Sequence, residues 1–265
     1  MNSNYNGCKK FLTLVLLVFS SMIYGCSMFQ GGQVAIVPPI KRSDSFLHDL
    51  IRRGIQLDSV SIEGRLSLTI NGKDHPSVKI RAWLVSKSEG SFVRIKGLAP
   101  LGVTVFDLLA KKDRAWIYLP RSGKVYKGNR FFTSYGSMDV VTAVKVIEMI
   151  INPWSPARYC DLKQTRCIPD TLPLHCFKAK FFDMLVTFEY LDDLSPRRFY
   201  SKGFQVSFEM EGGSGYPKKV EFYLDKANIK GELIVSKASF SPVYADGPLF
   251  DEFFFLQMLK RVKRP

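Results

Sequence analysis

Histidine is nearly missing: His48, His75 and His175 are the only three in 265 residues. None falls in an HExxH pattern or in a Cys/His spacing suited to zinc. The sequence also lacks a GxSxG elbow, a P-loop and a GxGxxG turn. These absences remove the usual residues of hydrolases, nucleotide-binding proteins and metalloenzymes. The expectation is a protein that is not an enzyme and holds no cofactor and no metal. Asp192-Asp193, just before Ser195-Pro196, reads as a turn, and Glu148 reads as a solvated side chain on a mid-chain helix. Acidic residues are in deficit, 24 against 38 basic ones, which gives a formal charge of +14. A basic surface suits anionic headgroups or acidic partners. The plainer account is that the lysines and arginines are solvated strand faces.

Long apolar runs are also rare, and the one at the N-terminus is informative. Lys9 and Lys10 precede Phe11–Tyr24, which is apolar apart from Thr13, Ser20 and Ser21. That run is short for a membrane span, which needs about 20 residues, and suits the h-region of a secretory signal. Ile23-Tyr24-Gly25-Cys26 follows the lipobox pattern of an aliphatic, a variable, a small residue and cysteine. Small Gly25 admits the peptidase, and the Cys26 thiol takes the lipid. The expected division is a lipoprotein signal peptide over 1–25, a lipidated N-terminus and flexible tether over 26–42, and one domain over 43–265. Gly31, Gly32, Pro38 and Pro39 keep the tether irregular. Ser27 after the cysteine favours the outer membrane, facing the periplasm, by analogy with enterobacterial sorting. An exported chain does not meet nucleic acid, so none is expected as a partner. With Cys8 removed and Cys26 acylated, Cys160, Cys167 and Cys176 remain, enough for one disulfide. Cys160–Cys167 and Cys167–Cys176 would each close a small loop, and an oxidising periplasm permits either.

Beyond the tether, Ser43 or Asp44 caps a helix through about Arg53, with Gly54 ending it. Strands follow. Val60, Ile62, Leu66, Leu68 and Ile70 alternate with polar residues, Gly64 interrupts the apolar face, and Asn71-Gly72 is a hairpin turn. Further strands are expected at 78–84, 92–96, 103–110, 115–119 and 124–127, with turns at Glu89-Gly90, Asp113 and Ser122-Gly123. An apolar helix over about Val140–Ile151, capped by Ser137 or Asp139, needs covering. Residues 153–173 read as irregular. Strands resume over 174–180, 185–190, 198–211, 218–225 and 230–240, with a flexible turn at Gly212–Gly215. A closing helix over 249–259 and a basic tail follow. The class is α+β, either two stacked sheets or one sheet curled around helices.

Residues 60–127 resemble the outer-membrane lipoprotein-sorting (Lol) family, closest to the LolB-type receptor. The stretch VSIEGRLSLTINGKDHPSVKIRAWLVSKSEGSFVRIKGLAPLGVTVFDLLA carries the resemblance. It has a glycine-containing first strand, a Trp-bearing second strand and an Arg-containing third strand running into Pro-Leu-Gly. The final strands, GYPKKVEFYLDKANIKGELIVSKASF, resemble that family more loosely. The resemblance implies a half-open antiparallel β-barrel, a curled sheet with lid helices, enclosing an apolar cavity for acyl chains. Leu66, Leu68, Ile80, Leu84, Val93, Ile95, Phe204, Phe208 and Phe222 would line that cavity. Pro100, Leu101 and Gly102 match a protruding loop whose leucine helps insert lipoproteins into the membrane. An apolar tip beside a rigid proline turn can dip into a bilayer, and the alternative is that Leu101 folds back onto the core. The implied partners are membrane lipid or lipoprotein acyl chains and a periplasmic LolA-like carrier. The competing reading is an envelope scaffold with a packed core and no lipid cargo.

Overall fold

The computed structural model describes residues 43–257, apart from 88–89, 134–135, 166, 168–173, 182–183, 212–214, 226–227, 241–247, 254 and 256. The expected signal peptide, Gly25, Cys26, the expected tether, Glu89, Gly212–Ser214 and the basic tail therefore lie outside the described residues.

Among the described residues fifteen strands are delimited, together with three helices of bounded extent and a partly described helical segment near 252–257. The first arm contains β1 (Ser59–Ile70), β2 (Lys73–Lys87), β3 (Gly90–Leu98), β4 (Thr104–Lys111), β5 (Arg114–Leu119) and β6 (Lys124–Gly128). The second contains β9 (Lys163–Thr165), β10 (Leu174–Phe181), β11 (Met184–Leu191), β12 (Pro196–Ser201), β13 (Phe204–Met210), β14 (Pro217–Leu224) and β15 (Ile229–Ser239). Each arm is an antiparallel meander, and the two join where β1 pairs with β15. The result is one 13-stranded sheet whose terminal strands, β6 and β9, are not paired with each other. It is a curled, half-open barrel. A separate hairpin, β7 (Arg130–Thr133) and β8 (Gly136–Asp139), stands between the arms.

Curvature has a local cause. Register slips occur at Glu63/Gly64, Leu66/Leu68 and Gly97/Leu98, and such bulges bend and twist a strand. Gly97 lies opposite Phe106, and Gly231 lies opposite Phe222. A Cβ at either glycine would run into the facing ring. The rings lie across bare backbone, a device that supports tightly curved sheets.

Three helices fill the concave side: α1 (Ser43–Gln56), α2 (Val140–Ile151) and α3 (Pro156–Tyr159). Phe46 and Leu50 of α1, and Val144, Ile147 and Ile151 of α2, join one core with Ile62, Leu84, Val93, Val206 and Leu233. Among the described residues this core starts at Phe46, so a chain without its first 26 residues keeps all of it. A second, smaller core lies on the outer face. There Phe250 and Phe255 of the C-terminal segment cover Val85, Phe92, Leu109 and Trp116.

Several expectations need correcting. Gly54 does not end α1, which runs on to Gln56. A Cβ there would sit 2.7 Å from the Trp154 carbonyl oxygen, so glycine serves a close approach between segments. The expected strand 198–211 is two strands, β12 and β13, folded back at Lys202-Gly203, where Gly203 has φ +80°. Residues 153–173 are not wholly irregular, since they hold α3 and β9. The alternation of β2 would also put Trp83 with Lys79 and Arg81 on a solvated face, but Trp83 is half-buried against the outer core.

Candidate functional site

Between α2 and the curled sheet lies a cavity of ≈ 70 Å³. Leu66, Leu68, Ile80, Ala82 and Ile95 contribute its first wall, with Phe106 beside them. Phe222 and Leu233 close the other side, and Ile147, Ile150 and Ile151 of α2 form the roof. Every lining side chain is apolar. Five of the nine expected lining residues are here: Leu66, Leu68, Ile80, Ile95 and Phe222. Leu84, Val93, Phe204 and Phe208 point to the same concave side but are packed into the surrounding core. Period-two alternation identifies a face and not a depth along the barrel, so it could not separate these two groups.

The roof is pinned at one end. Asn152 Nδ2 donates to the Leu57 carbonyl at 2.5 Å. Tyr216 Oη donates to the Ile151 carbonyl at 2.5 Å, and Tyr190 Oη to Pro153 at 3.0 Å. Burial pushes both phenols up from their ordinary value, so they stay protonated donors. Trp154 Nε1 donates to the Leu194 carbonyl at 2.8 Å, and Arg53 lies over its ring. Midway along α2, Glu148 is buried and not solvated. Its carboxylate accepts from the Ser86 and Ser91 hydroxyls, which bind α2 to β2 and β3. A helix apolar around its girth is covered on most sides, and a carboxylate there needs such partners. The sequence showed neither serine as a partner, because both lie on other strands.

The Pro100–Gly102 turn differs from everything around it. It is a single 3-10 turn in which Leu101 has φ +67° and Gly102 φ +75°. Leu101 is fully exposed and Val103 largely so. Leu101 therefore does not fold back onto the core. A left-handed leucine costs about 1–2 kcal/mol, and burial returns nothing to it.

Known structures share this architecture. A DUF1329 family protein from Desulfovibrio piger superposes with a TM-score of 0.57 at 14% identity, covering 82% of this chain and 99% of the other. A domain described as an outer membrane lipoprotein-sorting protein, from Vibrio parahaemolyticus, gives 0.53 at 11% identity, over 80% and 97%. A LolA superfamily protein from Nitrosomonas europaea gives 0.51 at 12% identity, over 78% and 98%. The chain has the LolA-type fold. No protein-family model matches the sequence, and no curated protein matches it. At these identities the likeness concerns the fold alone.

Within this LolA-type fold, a disulfide joins Cys167 to Cys176 with their Cα atoms 5.4 Å apart. It ties the segment after β9 to β10. Among the described residues Cys160 is the free thiol. Burial pushes its pKa up to about 12, with Lys145 opposing and Glu148 adding to the rise. The thiol stays protonated at pH 8, and the thiolate is the reactive form. Iodoacetamide at pH 8 is expected to leave Cys160 unmodified in the folded protein and to label it in urea, as read by intact mass. Rapid labelling of the native protein would contradict the raised pKa of this half-buried thiol. The sign for stability follows: above the unfolded value of 9.0 the unfolded state loses this proton first, so stability falls between pH 9 and 12.

Proposed function

We propose that this chain is an outer-membrane lipoprotein, cut before Cys26 and anchored there, that takes acyl chains between its sheet and α2. The wholly apolar cavity beneath α2 carries this reading. The LolA-type fold and the exposed Leu101 turn support it. In the lipoprotein-sorting form of the reading, acylated cargo comes from a periplasmic LolA-like carrier. It leaves to the bilayer past the Pro100–Gly102 turn. The role is binding and transfer, not catalysis. Residues 26–42 are the tether and 43–265 the lipid-binding domain.

Volume decides how this could work. A lipid-sized ligand needs a pocket of roughly 300–1,000 Å³, and ≈ 70 Å³ is present. The described form is closed, and loading requires α2 to lift. The pinned end at Ile151–Trp154 makes the opposite end, near the exposed Val141, the one to move first. Lifting breaks the Ser86 and Ser91 bonds to Glu148.

The same small volume favours the second reading, an envelope scaffold with a filled core. Native mass spectrometry of residues 27–265, purified from a periplasm and then mixed with a triacylated lipopeptide, separates the two. A one-to-one adduct is expected, and competition by the unacylated peptide is not. A mass that stays at the bare protein over a lipopeptide excess would sink the acyl-binding reading and leave the scaffold.

A further inference from the structure

A second groove lies on the outer face of the sheet, beside the Leu101 turn. Its volume is ≈ 670 Å³, and Lys79, Arg81, Trp83, Lys96, Leu101 and Leu249 are among its walls. The charge pattern is unusual for a sheet surface. Arg81 and Lys96 are direct cross-strand partners, as are Arg65 and Lys79. Like charges placed directly opposite destabilise a sheet. Their carboxylates are few. Glu63 alone serves Arg81 at 3.1 Å and Lys79 at 3.6 Å. Asp107 is already held by both ends of the Arg94 guanidinium, and Lys96 is 3.7 Å from it. Lys79, Arg81, Lys96 and the buried Arg94 thus share two carboxylates beside the groove, leaving two positive charges over.

The groove and the tip are ordered as a bilayer is. Leu101 and Val103 present exposed apolar side chains. Trp83, half-buried, has the amphipathic ring that settles at headgroup level. Lys79 and Lys96 have long stems that can carry their charge to the phosphate layer. We propose that this groove seats the headgroup phosphates of an anionic phospholipid bilayer while Leu101 enters the acyl layer. The turn then docks on anionic membrane in preference to neutral membrane. The proposal rests on the membrane-facing reading of the Leu101 turn and adds the lipid class it recognises.

The test is co-sedimentation of residues 27–265 with vesicles of pure phosphatidylcholine, or with a third of it replaced by phosphatidylglycerol. Partition should be stronger on the anionic vesicles and fall with salt. A basic residue at a membrane surface contributes roughly a 5-fold preference. Lys79→Gln with Lys96→Gln should therefore weaken partition by about 25-fold. Arg81 is kept in that variant so that Glu63 retains its partner. Lys163→Gln with Lys178→Gln, on β9 and β10 of the far arm, removes the same charge and should leave partition nearly unchanged. Equal weakening by both pairs would overturn the groove in favour of diffuse charge. Leu101→Glu separates the two levels. If it abolishes partition while the Lys79/Lys96 pair does not, the groove fails and the membrane-facing turn stands. If Leu101→Glu also binds like the parent, both fail. Near-ultraviolet circular dichroism matching the parent establishes that each variant is folded.

Discussion

Arg94→Ala is expected to destabilise the protein by about 3–5 kcal/mol, the usual cost of removing one partner from a buried ion pair. Arg94 of β3 reaches diagonally to Asp107 of β4, the direct partner of Lys96, and the two side chains are only 4% and 5% exposed. Nε donates to one carboxylate oxygen at 3.0 Å and Nη2 to the other at 2.6 Å. Nη1 donates to the Leu249 carbonyl at 2.8 Å, and the guanidinium stacks over Phe255. Alanine would leave a buried carboxylate with Lys96 at 3.7 Å as its remaining cation. It would also free the C-terminal segment from the outer face. Two readouts follow: a lower urea midpoint, and earlier proteolytic clipping after residue 240. The double change Arg94→Met with Asp107→Leu should recover most of the loss, since well-packed apolar replacements of buried pairs are often neutral. A single variant within 1 kcal/mol of the parent would mean that the pair is far wetter than its burial indicates.

Trp154→Ala is the second large loss, again about 3–5 kcal/mol for a buried aromatic cut to alanine. The ring is 2% exposed, packs against Tyr216 and gives its N–H to Leu194. The Trp154 carbonyl is where Gly54 of α1 approaches. The residue therefore ties α1, the end of α2 and the β11–β12 connection into one corner. Its loss should do more than lower the midpoint. With the pinned end of α2 loosened, amide exchange along Val144–Ile151 should accelerate more than exchange in β1, β14 or β15. Uniform acceleration would show that α2 opens only with the whole domain, and that Trp154 is no hinge.

Much of the first arm was legible because its information is local. Alternation from Val60 to Ile70, the Asn71-Gly72 turn and the break at Gly64 all describe residues that pair with near neighbours. Asn71 and Gly72 both take positive φ, as that turn requires. Pro100–Gly102, read as a loop, forms a 3-10 turn. What escaped depends on distant partners. Glu148 looked like a solvated side chain on an otherwise covered helix until Ser86 and Ser91 arrived from β2 and β3. Gly54 looked like a stop signal because the chain it accommodates lies a hundred residues away. The C-terminal aromatics looked like a closing helix. Helical turns are there among the described residues, at 252, 253, 255 and 257, but they cover a second core on the outer face, whose other half is spread over β2 to β5. At the cavity, Phe204 and Phe208 shared the right face with Phe222 but not its position along the barrel.

The junction of the two arms has a consequence for how the chain reaches its native state. β1 is complete by Ile70, yet its second neighbour, β15, begins at Ile229, and their paired residues run from Ile70↔Ile229 to Ser61↔Ser239. Each arm can zip as successive hairpins as the chain folds. The seam between them closes a loop of about 160 residues and must come last, the kind of non-local pairing that slows folding. Until then two unpaired strand edges, rich in apolar residues, are open to any other chain. Folding would thus pass through a stage at which the arrival of β15 alone stands between a closed domain and aggregation.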